Sequence, residues 1–421
     1  MTKHKKEAGI VLIITLWVIV VLASVSTAFI RQVQLEAKMV GFQRDITIVD
    51  SVAKAGLRQA LVLLREDKIK DSGEDVEERV TTFLDDDNFM YDGGTEAWAS
   101  NDELYVDVPF YEFGDKVAYY YVEVEDEAAK FPINNSQATL EMVQHLLELS
   151  GVSERDSETL AAAIIDWRDA DDIPATLESG GDGDEYSTYN SGRQRSGRRG
   201  GGEIPEIALK NAPIQSIDEF LLIPGMTPDI VFGTADPDEN RSGRYRRKRM
   251  RKGEYLGLSN LVTVYEKKIN LNTVKLEVLE SLLYPILGTD AENLAQDWVE
   301  YRDGRDNQTY TDDDQVLKTL DNSDMDDVHW SEVDGFTEDV MKALNPLAGI
   351  VSDIFVITCM AEFEGLEKGY RAVVERTFTP WDQMPIFGID TMEVEDLEQV
   401  KLQVRLFEPI YEVEDKINQM I

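Results

Sequence analysis

The feature that most constrains the fold is the beginning of the chain, where an uncharged apolar run at residues 10–30 continues directly into an amphipathic pattern. As a helix the run would be roughly 31 Å long, enough to cross the hydrocarbon core of a bilayer. Apolar residues then recur, without a proline, at alternating steps of four and three: Leu35, Met39, Phe42, Ile46, Val49, Ala53, Gly56, Ala60 and Leu63. The spacing predicts one continuous helix over about residues 10–66, apolar all round at first and on one face afterwards.

Three interpretations of this segment compete. Lysines precede the apolar run, which predicts a cytoplasmic N-terminus and an exported remainder. The run could be a signal peptide cleaved near Ser26-Thr27-Ala28, a plain transmembrane anchor, or the helix that follows a pilin-type leader ending at Gly9. A cleaved signal peptide predicts a break near Ala28, where no helix breaker is present. A long helix that is half membrane segment and half domain spine favours the pilin-type interpretation.

Composition excludes some partners and cross-links. The 421 residues include 82 acidic and 42 basic side chains, giving a formal net charge of −40. Such a charge disfavours nucleic acid as a partner, because binding a phosphate backbone depends on lysine and arginine. Cys359 is the single cysteine, so no disulfide can form within the chain.

Two pairs of strand-like segments flank a block of helical patterns. The first pair lies at residues 104–110 and 117–124, and the second at 353–363 and 370–378 around a turn-like 364–369. We expect the four strands to form one antiparallel sheet packed on the N-terminal helix. The intervening residues, about 131–345, would then form an inserted helical domain.

Capping residues and apolar spacing place the helices of this block. Ser136 could cap a helix ending at Leu149, and a second helix covers residues 158–168. Ser216 and Glu219 form a capping box, and Thr227-Pro228 begins a further helix. Two more helices are predicted at residues 273–283 and 290–302.

No catalytic constellation is present in the sequence, which predicts a protein that is not an enzyme. His145 lies at a helical spacing, and Cys359 lies in an apolar strand. One acidic cluster, at residues 166–172, continues into a loop with Asp182, Asp184 and Glu185. Calcium takes six to eight oxygen ligands, so this loop is either a calcium site or a solvated acidic segment.

Several stretches, in their order along the chain, resemble the K-type minor pseudopilins of the type II (general) secretion pathway over roughly residues 5–378. The matching stretches are Ala8-Gly9-Ile10, Leu16-Trp17-Val18, Ala53-Lys54-Ala55-Gly56-Leu57, Ile165-Asp166-Trp167-Arg168-Asp169-Ala170-Asp171, Leu222-Ile223-Pro224-Gly225-Met226 and Lys268-Ile269-Asn270-Leu271-Asn272-Thr273.

The resemblance implies an α+β fold, in which a long pilin-like N-terminal helix packs on an antiparallel sheet. It also implies that a large all-α domain of helix-hairpin-helix or SAM-like type is inserted between strands. The implied divisions are a leader (1–9), a transmembrane helix (10–30), the first part of the pilin-like domain (31–130), the inserted helical domain (131–345), the final strands (346–379) and an acidic C-terminal extension (380–421).

The resemblance also implies a function. The protein would start or cap the periplasmic pseudopilus tip during export of folded proteins, together with I-type and J-type minor pseudopilins and the major pseudopilin. It would be a single-pass inner-membrane protein with a cytoplasmic N-terminus and a periplasmic head. No nucleic acid is expected as a partner.

Two sets of site residues follow from the same resemblance. Prepilin peptidase would cleave after Gly9, and the new amino terminus at Ile10 would be methylated. Pseudopilins commonly begin with phenylalanine, and most pilins carry glutamate at the fifth mature position, where this chain has Ile14. K-type members also lack that glutamate. Calcium in the large helical domain is assigned to five residues: Asp169, Asp171, Asp172, Asp184 and Glu185.

Two other functions remain as alternatives. Hairpin-like turns at residues 222–227 and 269–273, with a basic run at 241–252, could serve an envelope protein for DNA binding or uptake. A membrane-anchored exported hydrolase is the second alternative. The resemblance explains neither the basic run nor the acidic extension.

Overall fold

The computed structural model describes residues 3–71, 91–99, 105–175, 185, 209–234, 241–242, 246–247, 253–305, 308–311, 313–320, 328–378 and 400–410. The first element is helix α1, Lys3–Asp71, which is 69 residues long. It contains the helix predicted for residues 10–66 and extends beyond it at both ends. Its first part is long and apolar enough to cross a membrane.

The apolar stripe of α1 is buried only in its second half. Val49, Ala53 and Ala60 are at most 1% exposed because they pack on the sheet. Leu35, Met39 and Phe42 continue the same stripe toward the N-terminus, yet they are 64%, 62% and 54% exposed. The predicted spine is therefore one helix with a covered half and an uncovered half.

Eleven strands lie in the described part of the chain. In chain order they are β1 (Val108–Phe113), β2 (Lys116–Asp126), β3 (Phe131–Pro132), β4 (Arg241–Ser242), β5 (Arg246–Arg247), β6 (Val262–Thr263), β7 (Ile269–Asn270), β8 (Ala348–Gly349), β9 (Ile354–Phe363), β10 (Leu366–Phe378) and β11 (Val400–Ile410).

The main sheet has the order β1-β2-β9-β10-β11, and every neighbouring pair is antiparallel. The first and second predicted strand pairs meet at its centre, where Val122 of β2 lies opposite Cys359 of β9. The turn between β9 and β10 is shorter than predicted, because only Glu364 and Gly365 separate the two strands, both with positive φ. The acidic extension supplies the fifth strand, β11.

A glycine allows α1 to approach the sheet closely. A Cβ atom at Gly56 would lie 2.7 Å from Cys359 Sγ and 2.7 Å from the ring of Tyr120. Any side chain at this position would therefore push the helix away from the sheet. This contact explains why the stripe of α1 includes a glycine in the middle of a helix.

A block of helices lies between β2 and β9. Leu146, Ile164, Leu279 and Trp298 belong to one continuous apolar core within it. The helices are α2 (Leu140–Leu149), α3 (Glu154–Arg168), α4 (Pro228–Phe232), α5 (Leu258–Leu261), α6 (Leu276–Leu287), α7 (Ala291–Arg302) and α8 (Glu338–Leu344).

Two of the predicted helix starts are wrong, and one is confirmed. Thr139, rather than Ser136, caps α2, because Asn135 holds the preceding residues in a turn. Ser216 makes no capping hydrogen bond, and a 3-10 helix follows it. Thr227 does cap α4, accepting from Ile230 N, with Pro228 in the first turn.

The helical block contains two similar halves. Arg168 at the end of α3 donates to Ala138 O, and Arg302 at the end of α7 donates to Val274 O at 2.6 Å. In both halves a glycine with positive φ precedes the capping threonine of the last helix. These pairs are Gly225 with Thr227 and Gly335 with Thr337. The predicted hairpin at residues 222–227 thus has a partner near residue 335.

A buried arginine joins α1, the sheet and the loop at residues 91–99. Arg376 of β10 is fully buried, donates to Asp67 Oδ2 of α1 at 2.7 Å and forms an ion pair with Asp92. Asn270 of the helical block donates to Asp92 O at 2.9 Å and to Ser352 Oγ at 2.8 Å. The polar network therefore connects the pilin-like part to the helical block.

Candidate functional site

Three acidic side chains converge at the end of α3. One carboxylate oxygen from each of Asp169, Asp171 and Glu185 lies within 4.8 Å of the others. Asp169 is the C-cap residue of α3, and its N–H donates to Ile165 O at 3.0 Å. The helix end thus places the first carboxylate, and the following loop places the second.

The loop that carries these residues is held by local hydrogen bonds. Asp166, in the last turn of α3, accepts from Ala175 N at 2.6 Å. Asp171 Oδ1 accepts from Ile173 N at 2.9 Å, and its carbonyl oxygen accepts from Asn211 Nδ2 at 2.7 Å. The Asp166 carboxylate therefore holds the loop against the last turn of α3. Asn211 connects the loop to a segment that is distant in the sequence.

Bringing these buried carboxylates together is electrostatically unfavourable. Burial, followed by the charges of Asp171 and Asp166, raises the pKa of Asp169 to about 6. Burial, followed by Asp166 and Asp169, raises the pKa of Glu185 to about 7. Asp169 Oδ1 and both carboxylate oxygens of Glu185 are buried and lack hydrogen-bond partners among the described residues.

These features fit a hard divalent cation. Oxygen atoms are the ligands that calcium prefers, and a cation would both neutralise the mutual repulsion and satisfy the unpartnered oxygens. Of the five residues predicted as ligands, Asp169, Asp171 and Glu185 come together. Asp172 is not part of this convergent group, and Asp184 lies outside the described residues.

A second group of acidic side chains already has a cation. Carboxylates of Asp67, Asp92 and Glu96 lie within 4.8 Å of one another, but Arg376 pairs with Asp67 and Asp92. Glu96 accepts from Gly93 N and from Trp98 Nε1, both at 2.9 Å. This group is a structural ion-pair cluster that needs no metal.

His145 and Cys359, the other residues that the sequence singled out, have contacts that indicate a structural role. His145 Nε2 lies 3.1 Å from Glu280 Oε1, and its ring stacks on Tyr284. Cys359 is buried, which raises the pKa of its thiol to about 12. Asp236, Asp238 and Asn240, which form a second acidic pattern in the sequence, lie outside the described part of the chain.

Gly225 and Gly335, in the corresponding turns of the two halves of the helical block, face the protein interior. A Cβ at Gly225 would lie 3.0 Å from Leu160 of α3, and one at Gly335 would lie 3.2 Å from Leu294 of α7. Both turns are thus internal corners of the helical block. Only Arg241, Ser242, Arg246 and Arg247 of the basic run are described, in the short β4–β5 ladder.

Gly9 and Ile10, which flank the predicted cleavage site, lie within α1. A membrane-length helix whose second half packs on an antiparallel sheet, with a helical domain between β2 and β9, defines a pilin-like subunit with a large insertion. Residues 124–232 match the family model described as “Type II secretion system (T2SS), protein K”. The matched residues run from the end of β2 to the end of α4, so the first half of the helical block is similar to protein K of this secretion system.

The comparison with solved structures adds a similar chain. It belongs to the structure titled “The Crystal Structure of the GspK-GspI-GspJ complex from enterotoxigenic Escherichia coli Type 2 Secretion System”. The identity is 15%, the TM-score is 0.42, and the match covers 86% of this chain and 99% of that chain. No curated protein matches this chain.

Proposed function

We propose that the chain is a minor pseudopilin of the type II secretion system that starts or caps the tip of a periplasmic pseudopilus. The observation that carries the proposal is the uncovered half of α1, where Leu35, Met39 and Phe42 are exposed just beyond a membrane-length segment. An apolar helix face outside the bilayer requires a protein partner, because water contact with so much apolar surface is unfavourable. Helices of other pilin-like subunits have the complementary shape and chemistry.

Two features favour the tip over the body of the filament. The fifth mature position is Ile14, where most pilins have a glutamate that pairs with the amino terminus of a subunit already in the filament. A subunit without that carboxylate does not need an earlier subunit above it. The helical block between β2 and β9 adds bulk that a tip accommodates and a packed filament body does not.

The proposed partners and processing follow the protein K kind. Prepilin peptidase cleaves after Gly9, Ile10 becomes a methylated amino terminus, and residues 10–30 cross the inner membrane with the head in the periplasm. I-type and J-type minor pseudopilins and the major pseudopilin contact α1. Calcium, held by Asp169, Asp171 and Glu185, stabilises the loop after α3 by neutralising the three carboxylates.

The uncovered stripe can be tested with one substitution and a neighbouring control. Phe42→Asp places a charge on the stripe, whereas Gln43→Asp places the same charge on an adjacent exposed position. We expect Phe42→Asp to abolish co-purification with the I-type and J-type subunits and to reduce secretion of folded cargo. Equal behaviour of the two variants would contradict assembly through this stripe.

The position in the filament needs a separate measurement. Gold-labelled antibody against the head should mark one end of each isolated pseudopilus. Labelling along the filament length would contradict the tip assignment and leave the family assignment intact.

A further inference from the structure

Residues 220–232 and 330–342, one in each half of the helical block, have the same backbone structure position for position. In each unit a 3-10 helix ends, a glycine with positive φ follows three residues later, and two residues after it a threonine caps a short helix. The φ angle is 91° at Gly225 and 101° at Gly335. The capping threonine accepts from the backbone N–H three residues later, at 3.4 Å in both units. The two units can therefore be compared residue by residue.

The two units bury apolar side chains at the same positions. The matched pairs, all at most 8% exposed, are Phe220 with Trp330, Ile223 with Val333, Ile230 with Val340 and Val231 with Met341. All eight side chains belong to the continuous apolar core of the helical block. The unit at residues 330–342 therefore shows which positions must be apolar for this backbone to pack.

Three exposed positions, in contrast, are apolar in the first unit and polar in the second. The apolar side chains are those of Leu221, Leu222 and Phe232, which are 38%, 66% and 48% exposed. The corresponding residues of the second unit are also exposed: Ser331, Glu332 and Lys342. Because the second unit folds with polar side chains at these positions, packing does not require the three apolar side chains of the first. One exposed apolar residue is common, but three in one short unit indicate a surface that another molecule covers.

The charges around this surface indicate the chemistry of the partner. Asp218 lies in the 3-10 helix Ile217–Leu222 and Asp229 lies in α4, and both are exposed. Neither carboxylate forms an ion pair with a described residue, and the whole chain has a formal net charge of −40. A partner with lysine or arginine beside its apolar side chains would complement these acids. A second copy of this chain, or an anionic membrane surface, would instead add negative charge at the same place.

We propose that Leu221, Leu222 and Phe232 form a docking site for another protein, one that presents apolar side chains flanked by lysine or arginine. The 3-10 helix that carries the two leucines is in contact with α4, which carries Phe232, so the three side chains lie on adjoining elements. This site belongs to the helical block and is separate from the uncovered half of α1. It does not depend on where the chain lies in a filament.

The test measures binding of a short labelled peptide of leucine and lysine to the full-length protein in nanodiscs of a neutral lipid. Empty nanodiscs report how much peptide binds to lipid alone. The double variant Leu222→Glu/Phe232→Lys copies two residues of the second unit into the first and leaves the net charge unchanged. We expect it to weaken peptide binding, measured by fluorescence anisotropy, by at least about tenfold. Its unfolding temperature should equal that of the wild type, because the second unit carries the same residues at the same positions.

A matched control changes the corresponding residues of the second unit. Glu332→Gln/Lys342→Gln should bind the peptide as tightly as the wild type does. Equal binding by the wild type and Leu222→Glu/Phe232→Lys, or wild-type binding no greater than that of empty nanodiscs, would overturn the docking site. A peptide of leucine and glutamate that binds as tightly as the lysine peptide would overturn the proposed partner chemistry. Self-association of the wild type that Leu222→Glu/Phe232→Lys abolishes would assign the surface to a second copy and overturn the proposal as well.

Discussion

At the scale of single residues, burial distinguishes acidic side chains that the sequence treats alike. Asp169 and Asp172 lie in one acidic run, and both were predicted as calcium ligands. In the structure, Asp169 has a buried carboxylate oxygen without a partner and lies beside Glu185. Asp172 is exposed and outside the convergent group.

This difference gives a paired prediction for calcium binding. Asp169→Asn removes a charged ligand and should weaken calcium affinity by at least about tenfold. Asp172→Asn should leave the affinity within about twofold, because the side chain does not converge on the site. Calorimetric titration of both variants measures the contrast. Equal losses would show that the ligand set includes Asp172.

At the scale of elements, the close contact between α1 and the sheet depends on the absence of a side chain at Gly56. Gly56→Val would place atoms against Cys359 and Tyr120, whereas a Cβ atom at Gly41, on the same helix, would have no neighbour within 4 Å. Overpacking typically costs about 1–3 kcal/mol, so Gly56→Val should lower the unfolding temperature of the head. Gly41→Val serves as the control and should leave it unchanged. Similar unfolding curves for the two variants would contradict the close-contact interpretation.

Two arginines of β10, Arg371 and Arg376, differ in burial. Arg376 is fully buried between Asp67 and Asp92, and Arg371 forms an exposed ion pair with Glu408 at 3.2 Å. Removing one partner of a buried pair leaves uncompensated charge, so Arg376→Met should destabilise the head by about 3–5 kcal/mol. Arg371→Met should cost about 1 kcal/mol or less. Chemical denaturation measures both, and a small effect at Arg376 would show that its network contributes little.

Local patterns predicted elements better than they predicted connections between elements. The 4-3 spacing of α1 and the alternation in β2 and β9 were sufficient to predict a helix and an antiparallel sheet, because both patterns reflect burial on one face. The strand β11 was missed because its apolar residues lie in an acidic segment and it forms only by pairing with β10. The turn at Gly335, which corresponds to the hairpin at residues 222–227, was missed because Val333-Asp334-Gly335 lacks the proline of that hairpin.

The candidate site shows the same limit. Asp169, Asp171 and Glu185 could be predicted because they lie in one acidic stretch. Asn211 could not, because its approach to Asp171 depends on the folding of a distant segment. A non-glycine residue with positive φ is visible only in the structure, and no local sequence signal points to it.

At the scale of the whole molecule, one buried and one partly buried carboxyl group lie where the pilin-like part meets the helical block. Burial, the largest cause, raises the pKa of Asp126 to about 6. Burial and then the charge of Asp126 raise the pKa of Glu266 to about 8. Glu266 Oε1 accepts from Asp353 N at 3.0 Å and from Ile354 N at 2.8 Å, at the start of β9.

These raised pKa values predict how stability depends on pH. The folded protein retains protons on Asp126 and Glu266 up to a higher pH than the unfolded chain does, so its stability falls as the pH rises from about 4.5 to about 8. Glu266→Gln keeps an oxygen that can accept the two backbone hydrogen bonds and removes the charge. The variant should therefore be more stable than the wild type at pH 8, by on the order of 1–2 kcal/mol, and nearly equal to it at pH 5. Glu158→Gln, at an exposed position of α3, controls for the change in net charge, and unfolding temperatures across this pH range measure the difference. Parallel curves for Glu266→Gln and the wild type would show that the junction does not titrate with folding.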